Sequence, residues 1–183
     1  MNDSPSPGKP HFCGMKNLLI ILILLLVSPS PDAAAQTKTD SLPYQKYPTL
    51  PAFNLLMADS STIFNTYNVT EGRPTVLFFF APDCEHCHTI AKGLLGKMDS
   101  LKAADFYFFS YVPLAALSSF AAQYHLADYK NITIGKDYQY FFPSFYGATT
   151  IPYVVVYDGH KKLVKLYDNG AKATDLIRLL NSL

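Results

Sequence analysis

The sequence predicts one α/β domain over residues 53–183, with a mixed central β-sheet flanked by helices on both faces. Three observations carry this. First, Thr75 to Phe80 (TVLFFF) is an unbroken apolar run between Pro74 and Pro82. Its length and its β-branched and aromatic content fit a strand buried on both faces. Second, the strand-then-helix pattern recurs: Phe106 to Val112 is another buried run, followed by Leu114 to Tyr124 with Leu117, Phe120, Ala121 and Tyr124 on one stripe. Third, Tyr153–Tyr157 and Leu163–Tyr167 flank Asp158-Gly159, a hairpin signal, and an amphipathic segment closes the chain. Strand–helix–strand–helix, then a hairpin and a helix, is the order of a layered α/β domain.

The remaining elements follow from the same periodicities. Phe53 to Met57 reads as a short strand and Asp59-Ser60-Ser61 as a turn. Cys84 to about Leu101 reads as one helix, because Ile90, Leu94, Leu95, Met98 and Leu101 recur at spacings of three and four. Asp83 is its expected N-cap. Ile132 and Ile134 suggest a short strand, and Tyr138 to Tyr146 an aromatic helical turn or two, interrupted at Pro143. That aromatic cluster is expected to pack as core beside the site; a partner-binding face is the alternative. Ala173 to Leu183 reads as the closing helix, with Leu176, Leu179, Leu180 and Leu183 inward.

The N-terminal part looks like a targeting segment. Lys16 precedes an apolar run from Leu18 to Val27, then Ser-Pro-Ser-Pro and Ala33-Ala34-Ala35. A positive residue, a short apolar core and a small-residue end make a secretory signal peptide over residues 1–35, with residues 1–14 as an extension. The apolar run is shorter than the roughly 20 residues of a spanning helix. An uncleaved anchor is the alternative. Residues 36–52 are polar and contain three prolines, so they are expected to be a loosely ordered lead-in. The predicted product is therefore an exported, periplasmic or extracytoplasmic domain.

Charge narrows the function. The whole chain has a formal net charge of +1. The leader carries two lysines and two aspartates, so its removal leaves that balance unchanged. No basic face is indicated, which excludes general nucleic-acid binding. Of three cysteines, only Cys84 and Cys87 follow the leader. One close pair in an oxidising compartment is a reactive site rather than a disulfide framework.

Cys84-Glu85-His86-Cys87 directly follows the buried strand and opens the helix. A helix N-terminus has free N–H groups and a positive dipole end, both of which favour a thiolate. Cys84 is expected to be the exposed nucleophile. Cys87, one turn inward, would resolve the mixed disulfide. His86 adds potential positive charge, whereas Glu85 and Asp83 oppose it, so these residues tune the pair in opposite directions. Two other readings stay open. Cys84-x-x-Cys87-His88 also spells the haem attachment motif, and Cys84, Cys87, His86 and His88 could hold a metal. An inert bridge, or a redox-inactive scaffold that only binds partners, is the bland reading. His88 itself is expected on the exposed helix face.

Ile151-Pro152 precedes the strand beginning at Tyr153, where a proline belongs because it donates no ladder hydrogen bond. With TVLFFF, the APDCEHC segment opening a helix, and this Ile-Pro before a hairpin, the chain resembles the thioredoxin superfamily. The signal peptide and the extra segment Asn131 to Tyr146 resemble its exported, TlpA-like branch. The resemblance covers about Phe53 to Leu183. It implies a cis Pro152 beside the cysteines and Ile151 as its substrate-contacting neighbour. It also implies a thiol–disulfide oxidoreductase acting on disulfide-containing or dithiol protein substrates, with reduction as the expected direction. Such a protein would be a monomer without cofactor or metal, served by a membrane or periplasmic electron donor. Two features depart from thioredoxin itself. Its buried acid six residues before the first Cys is Phe78 here, and its Gly-Pro between the cysteines is Glu85-His86. His86 resembles oxidising members and Ile151 reducing ones.

Overall fold

The computed structural model describes residues 41–183. The leader reading over residues 1–35 lies outside them. Within them a seven-stranded mixed sheet has the order β2-β1-β5-β4-β3-β6-β7. Its strands are β1 (Asn54–Met57), β2 (Ile63–Asn65), β3 (Thr75–Phe79), β4 (Asp105–Ser110), β5 (Ile132–Lys136), β6 (Tyr153–Tyr157) and β7 (Leu163–Tyr167). Six helices accompany them: α1 (Pro43–Lys46), α2 (Glu85–Leu95), α3 (Met98–Leu101), α4 (Leu114–Gln123), α5 (Phe141–Tyr146) and α6 (Ala173–Leu180). Strands β3, β4 and β5 run parallel, and β6 lies antiparallel beside β3.

The apolar runs of the sequence become the middle of the sheet. Every residue of β3 and β6 is buried, as is β4 after its first residue. Period-two alternation then divides the strands between two cores. Phe78, Phe80, Phe106 and Phe108 join Ile90 and Leu94 of α2, Phe120 of α4 and Leu176 of α6 on one face. Leu77, Phe79, Phe109, Tyr153 and Tyr157 join Phe142 and Tyr146 of α5 on the other. Each fully buried Phe contributes about 1.5–3 kcal/mol. The fold is thus built chiefly from aromatic rings on both faces of β3 and β4.

Several elements differ from expectation. The predicted helix over Cys84–Leu101 divides into α2 and α3 at Gly96, where glycine weakens the helix and Lys97 leaves helical geometry. The closing helix ends at Leu180, leaving Leu183 exposed. The hairpin between β6 and β7 does not use a two-residue Asp-Gly turn. Asp158 Oδ1 instead accepts the N–H groups of His160 and Lys162, and Lys161 takes the positive φ. Gly159 serves another need: its carbonyl accepts the N–H of Gly72 at 2.8 Å, and a Cβ there would sit 3.1 Å from that backbone.

The described part of the lead-in is packed, not loose. Thr49 bridges antiparallel to Lys162 at the start of β7, and the N–H of Leu163 donates to the Pro48 carbonyl at 2.8 Å. Tyr44 of α1 stacks on Tyr146 with ring centroids 5.9 Å apart. Leu42 lies so close to Gly147 that a Cβ there would meet it at 2.6 Å. The polar composition hid three anchors, Leu42, Tyr44 and Leu50, which settle on the α5 side of the sheet.

Candidate active site

Strand β3 ends at Phe79, and the chain turns through Ala81-Pro82-Asp83-Cys84 into α2. The Cys84 N–H closes that turn onto the Ala81 carbonyl at 3.2 Å. Proline suits the turn's second position because its φ is fixed near the required value. The helix is capped by Cys84 itself, not by Asp83. The Cys84 Sγ accepts the N–H of Cys87 at 3.2 Å, in the manner of an N-cap side chain. Asp83 is exposed and takes no capping role.

The two cysteines are free thiols. Cys84 is half-buried at the rim. Cys87 has no exposed surface and belongs to the aromatic core cluster of β3 and β4. Burial pushes the Cys87 thiol up to about 12, and the neighbouring Cys84 adds to the rise. A backbone hydrogen bond from Ala81 works in the other direction. Phe78, fully buried and stacked on Phe80 at 5.4 Å, stands where a carboxylate could have faced that core. Glu85 and His86 are exposed on the first turn of α2, and neither forms a salt bridge among the described residues.

The Ile151–Pro152 peptide bond is cis. Register aligns Tyr153 with Phe79, so this bond and the Phe80–Cys84 turn emerge at the same end of the sheet. Gly170, at φ +76°, brings the segment after β7 against Pro152 and α2. A Cβ there would lie 2.7 Å from Pro152 Cγ and 3.2 Å from Ile90 Cγ1 of α2. Gly170 was not singled out in the sequence; an Asn-Gly after a strand signals only a turn. Thr150 Oγ1 donates to the Asp168 carbonyl and ties the same two segments together.

His88 departs from its expected place. It is half-buried, with Nδ1 2.6 Å from the Tyr124 hydroxyl and Nε2 2.8 Å from the Pro82 carbonyl. Both ring nitrogens are engaged, so neither is free as an axial ligand for haem. Within the described residues no group of three or more His, Cys, Asp or Glu is placed to hold a metal ion. The aromatic segment divides in two: Phe142 and Tyr146 are core, while Tyr138 and Tyr140 are exposed.

Among solved structures, the chain is similar to a secreted Mycobacterium tuberculosis disulfide oxidoreductase homologous to E. coli DsbE. That match has a TM-score of 0.60 and 22% identity, covering 72% of this chain and 96% of that one. An exposed lipoprotein thioredoxin of Streptococcus pneumoniae matches with a TM-score of 0.57 and 19% identity over 73% of this chain and all of that one. A thioredoxin-family thiol:disulfide interchange protein of Chlorobium tepidum matches at 0.59 and 16%, over 73% and 94%. These identities establish a shared fold. No curated protein matches the chain significantly. The family model of the thioredoxin-like domain matches residues 66–183, which include both cysteines, the cis proline and most of the sheet. The chain therefore belongs to the thioredoxin-like domain family.

Proposed function

We propose that this protein is an exported thiol–disulfide oxidoreductase that reduces disulfides in exported protein substrates, with Cys84 as nucleophile and Cys87 as resolving thiol. The observation that carries the reading is the pair's asymmetry. Cys84 caps the helix at the rim and accepts a backbone N–H, while Cys87 is sealed in the core one turn behind it.

In the forward reaction Cys84 thiolate attacks one sulfur of the substrate disulfide. A mixed disulfide forms and the first substrate thiolate leaves. That thiolate takes the proton of Cys87, since Phe78 supplies no base. Cys87 then attacks Cys84 Sγ, the Cys84–Cys87 disulfide forms, and the second substrate thiolate departs and is protonated by water. The substrate gains two electrons and the enzyme loses two, so an extracytoplasmic dithiol donor must re-reduce it. Ile151 and the cis Pro152 receive the extended substrate backbone beside Cys84.

Reduction is favoured over oxidation by the state of Cys87. A strongly oxidising pair needs its dithiol form stabilised. Here burial keeps Cys87 a neutral thiol, so the dithiol form gains stabilisation only through the one N–H donor at Cys84. Glu85 opposes the thiolate and His86 supports it, both from exposed positions. The secreted and lipoprotein character of the structural neighbours supports an extracytoplasmic site of action. The test is a glutathione redox titration of the Cys84–Cys87 pair with thiol trapping. A potential at or below about −200 mV supports a reductase; one near the roughly −120 mV of strong oxidants overturns it. An absence of any exchange would leave only a binding scaffold.

A further inference from the structure

The residue one helical turn past Cys84 is linked to the nucleophile's turn in two ways and to α4 in a third. The backbone N–H of His88 donates to the Cys84 carbonyl at 3.1 Å. Its Nε2 lies 2.8 Å from the carbonyl of Pro82, the second residue of the Ala81–Cys84 turn. Its Nδ1 lies 2.6 Å from the hydroxyl of Tyr124, at the end of α4, and its ring packs against Phe120. A carbonyl only accepts, so Nε2 carries a proton and donates to Pro82. Nδ1 then accepts from the Tyr124 hydroxyl. If the ring gains a second proton, that bond reverses and both contacts survive. The imidazole therefore bridges the turn to α4 in either protonation state.

We propose that His88 is a positioning residue for thiol exchange: with Tyr124 it clamps the Pro82–Cys84 turn and holds Cys84 Sγ on the N–H of Cys87. The proposal rests on the oxidoreductase reading and adds a residue to it. Its chemistry is indirect. The hydrogen bond from Cys87 N–H at 3.2 Å is stronger to a thiolate than to a thiol, and it requires the turn to hold its shape. Releasing the Pro82 carbonyl frees the turn and weakens that bond in the reactive state.

The test uses His88→Ala, His88→Gln and Tyr124→Phe. Cys84 alkylation by iodoacetamide is followed against pH in a Cys87→Ala background, and the glutathione equilibrium is measured with the native pair. His88→Ala should slow alkylation at neutral pH by about three- to tenfold, the range for weakening one net hydrogen bond. It should shift the equilibrium toward the disulfide by a similar factor. His88→Gln, which keeps a donor for Pro82, should restore both to within about twofold. Tyr124→Phe should fall between. Should His88→Ala fail to fold, Tyr124→Phe decides alone, since it removes one oxygen at the end of α4. Unchanged rate and equilibrium in the folded variants would overturn the proposal, as would an alanine defect that glutamine does not repair. A native protein that fails to exchange with glutathione would instead defeat the oxidoreductase reading itself.

Discussion

Cys84 and Cys87 are three residues apart and occupy two different solvents. Cys84 stands at the rim of the sheet, held by a turn, a helix end and an N–H donor. Cys87 lies in an aromatic core whose neighbouring sheet positions are Phe78, Phe80 and Phe108. One turn of helix converts a half-buried, hydrogen-bonded cysteine into a fully buried one. On the proposed exchange, this difference sets the order of attack by where α2 begins rather than by the chemical identity of the residues between the cysteines.

The largest effect should come from removing the rim thiol. Cys84→Ser is expected to reduce turnover of an insulin disulfide assay at least about 100-fold, because a neutral hydroxyl is a poor nucleophile without an activating base. Residual turnover near the native rate would mean that Cys87 attacks substrate directly. The core side can be broken next. Phe78→Asp places a carboxylate among Phe80, Phe108 and Cys87. It should cost at least the roughly 3–5 kcal/mol of losing a buried aromatic ring, read by denaturant unfolding. A neutral result would show that water reaches the Cys87 wall.

Alkali should also separate the two thiols. Cys87 titrates near 9 when unfolded and at about 12 when folded, because burial penalises its anion. Above pH 9 the unfolded state therefore binds fewer protons than the folded one. Stability from this group is fully present below pH 9 and is lost as the pH rises toward 12. The pH dependence of unfolding should show this loss for the reduced protein, and oxidation of the pair should remove the Cys87 share. Tyr107, also raised by burial to about 12, contributes in the same direction in both redox states. The smallest effect belongs to the opposite face. Tyr157→Phe leaves the buried Tyr146 hydroxyl without its 2.5 Å partner. A loss of about 1–3 kcal/mol is expected, with exchange kinetics unchanged. A change in exchange rate would show that the two cores are coupled.

Much of this site was legible in the residues. TVLFFF announced β3 because a strand buried on both faces needs no alternation, and Cys84-x-x-Cys87 at its exit fixed the helix start within a residue. Pro152 was legible only with the family resemblance, since spacing alone gives a proline at a strand's first position. Other features were hidden by long range. His88 reads as an exposed polar residue of α2, and only the fold brings Tyr124, at the end of α4, to it from 36 residues away. Gly170 read as an ordinary turn glycine until the fold pressed it against Pro152. The lead-in looked loose because its apolar anchors are sparse and their partners, Tyr146 and Gly147, lie in the aromatic segment. Strand β2 escaped because Ile63-Phe64-Asn65, three residues at a sheet edge, is too short to show an alternation.

The most direct measurement of the central asymmetry is covalent trapping. Cys87→Ala and Cys84→Ala proteins are each mixed with a disulfide-bonded substrate, and the products are read by intact mass without reductant. The account predicts a stable mixed disulfide on Cys84 in the Cys87→Ala protein and little adduct in the Cys84→Ala protein. Equal or greater adduct on Cys87 would contradict it.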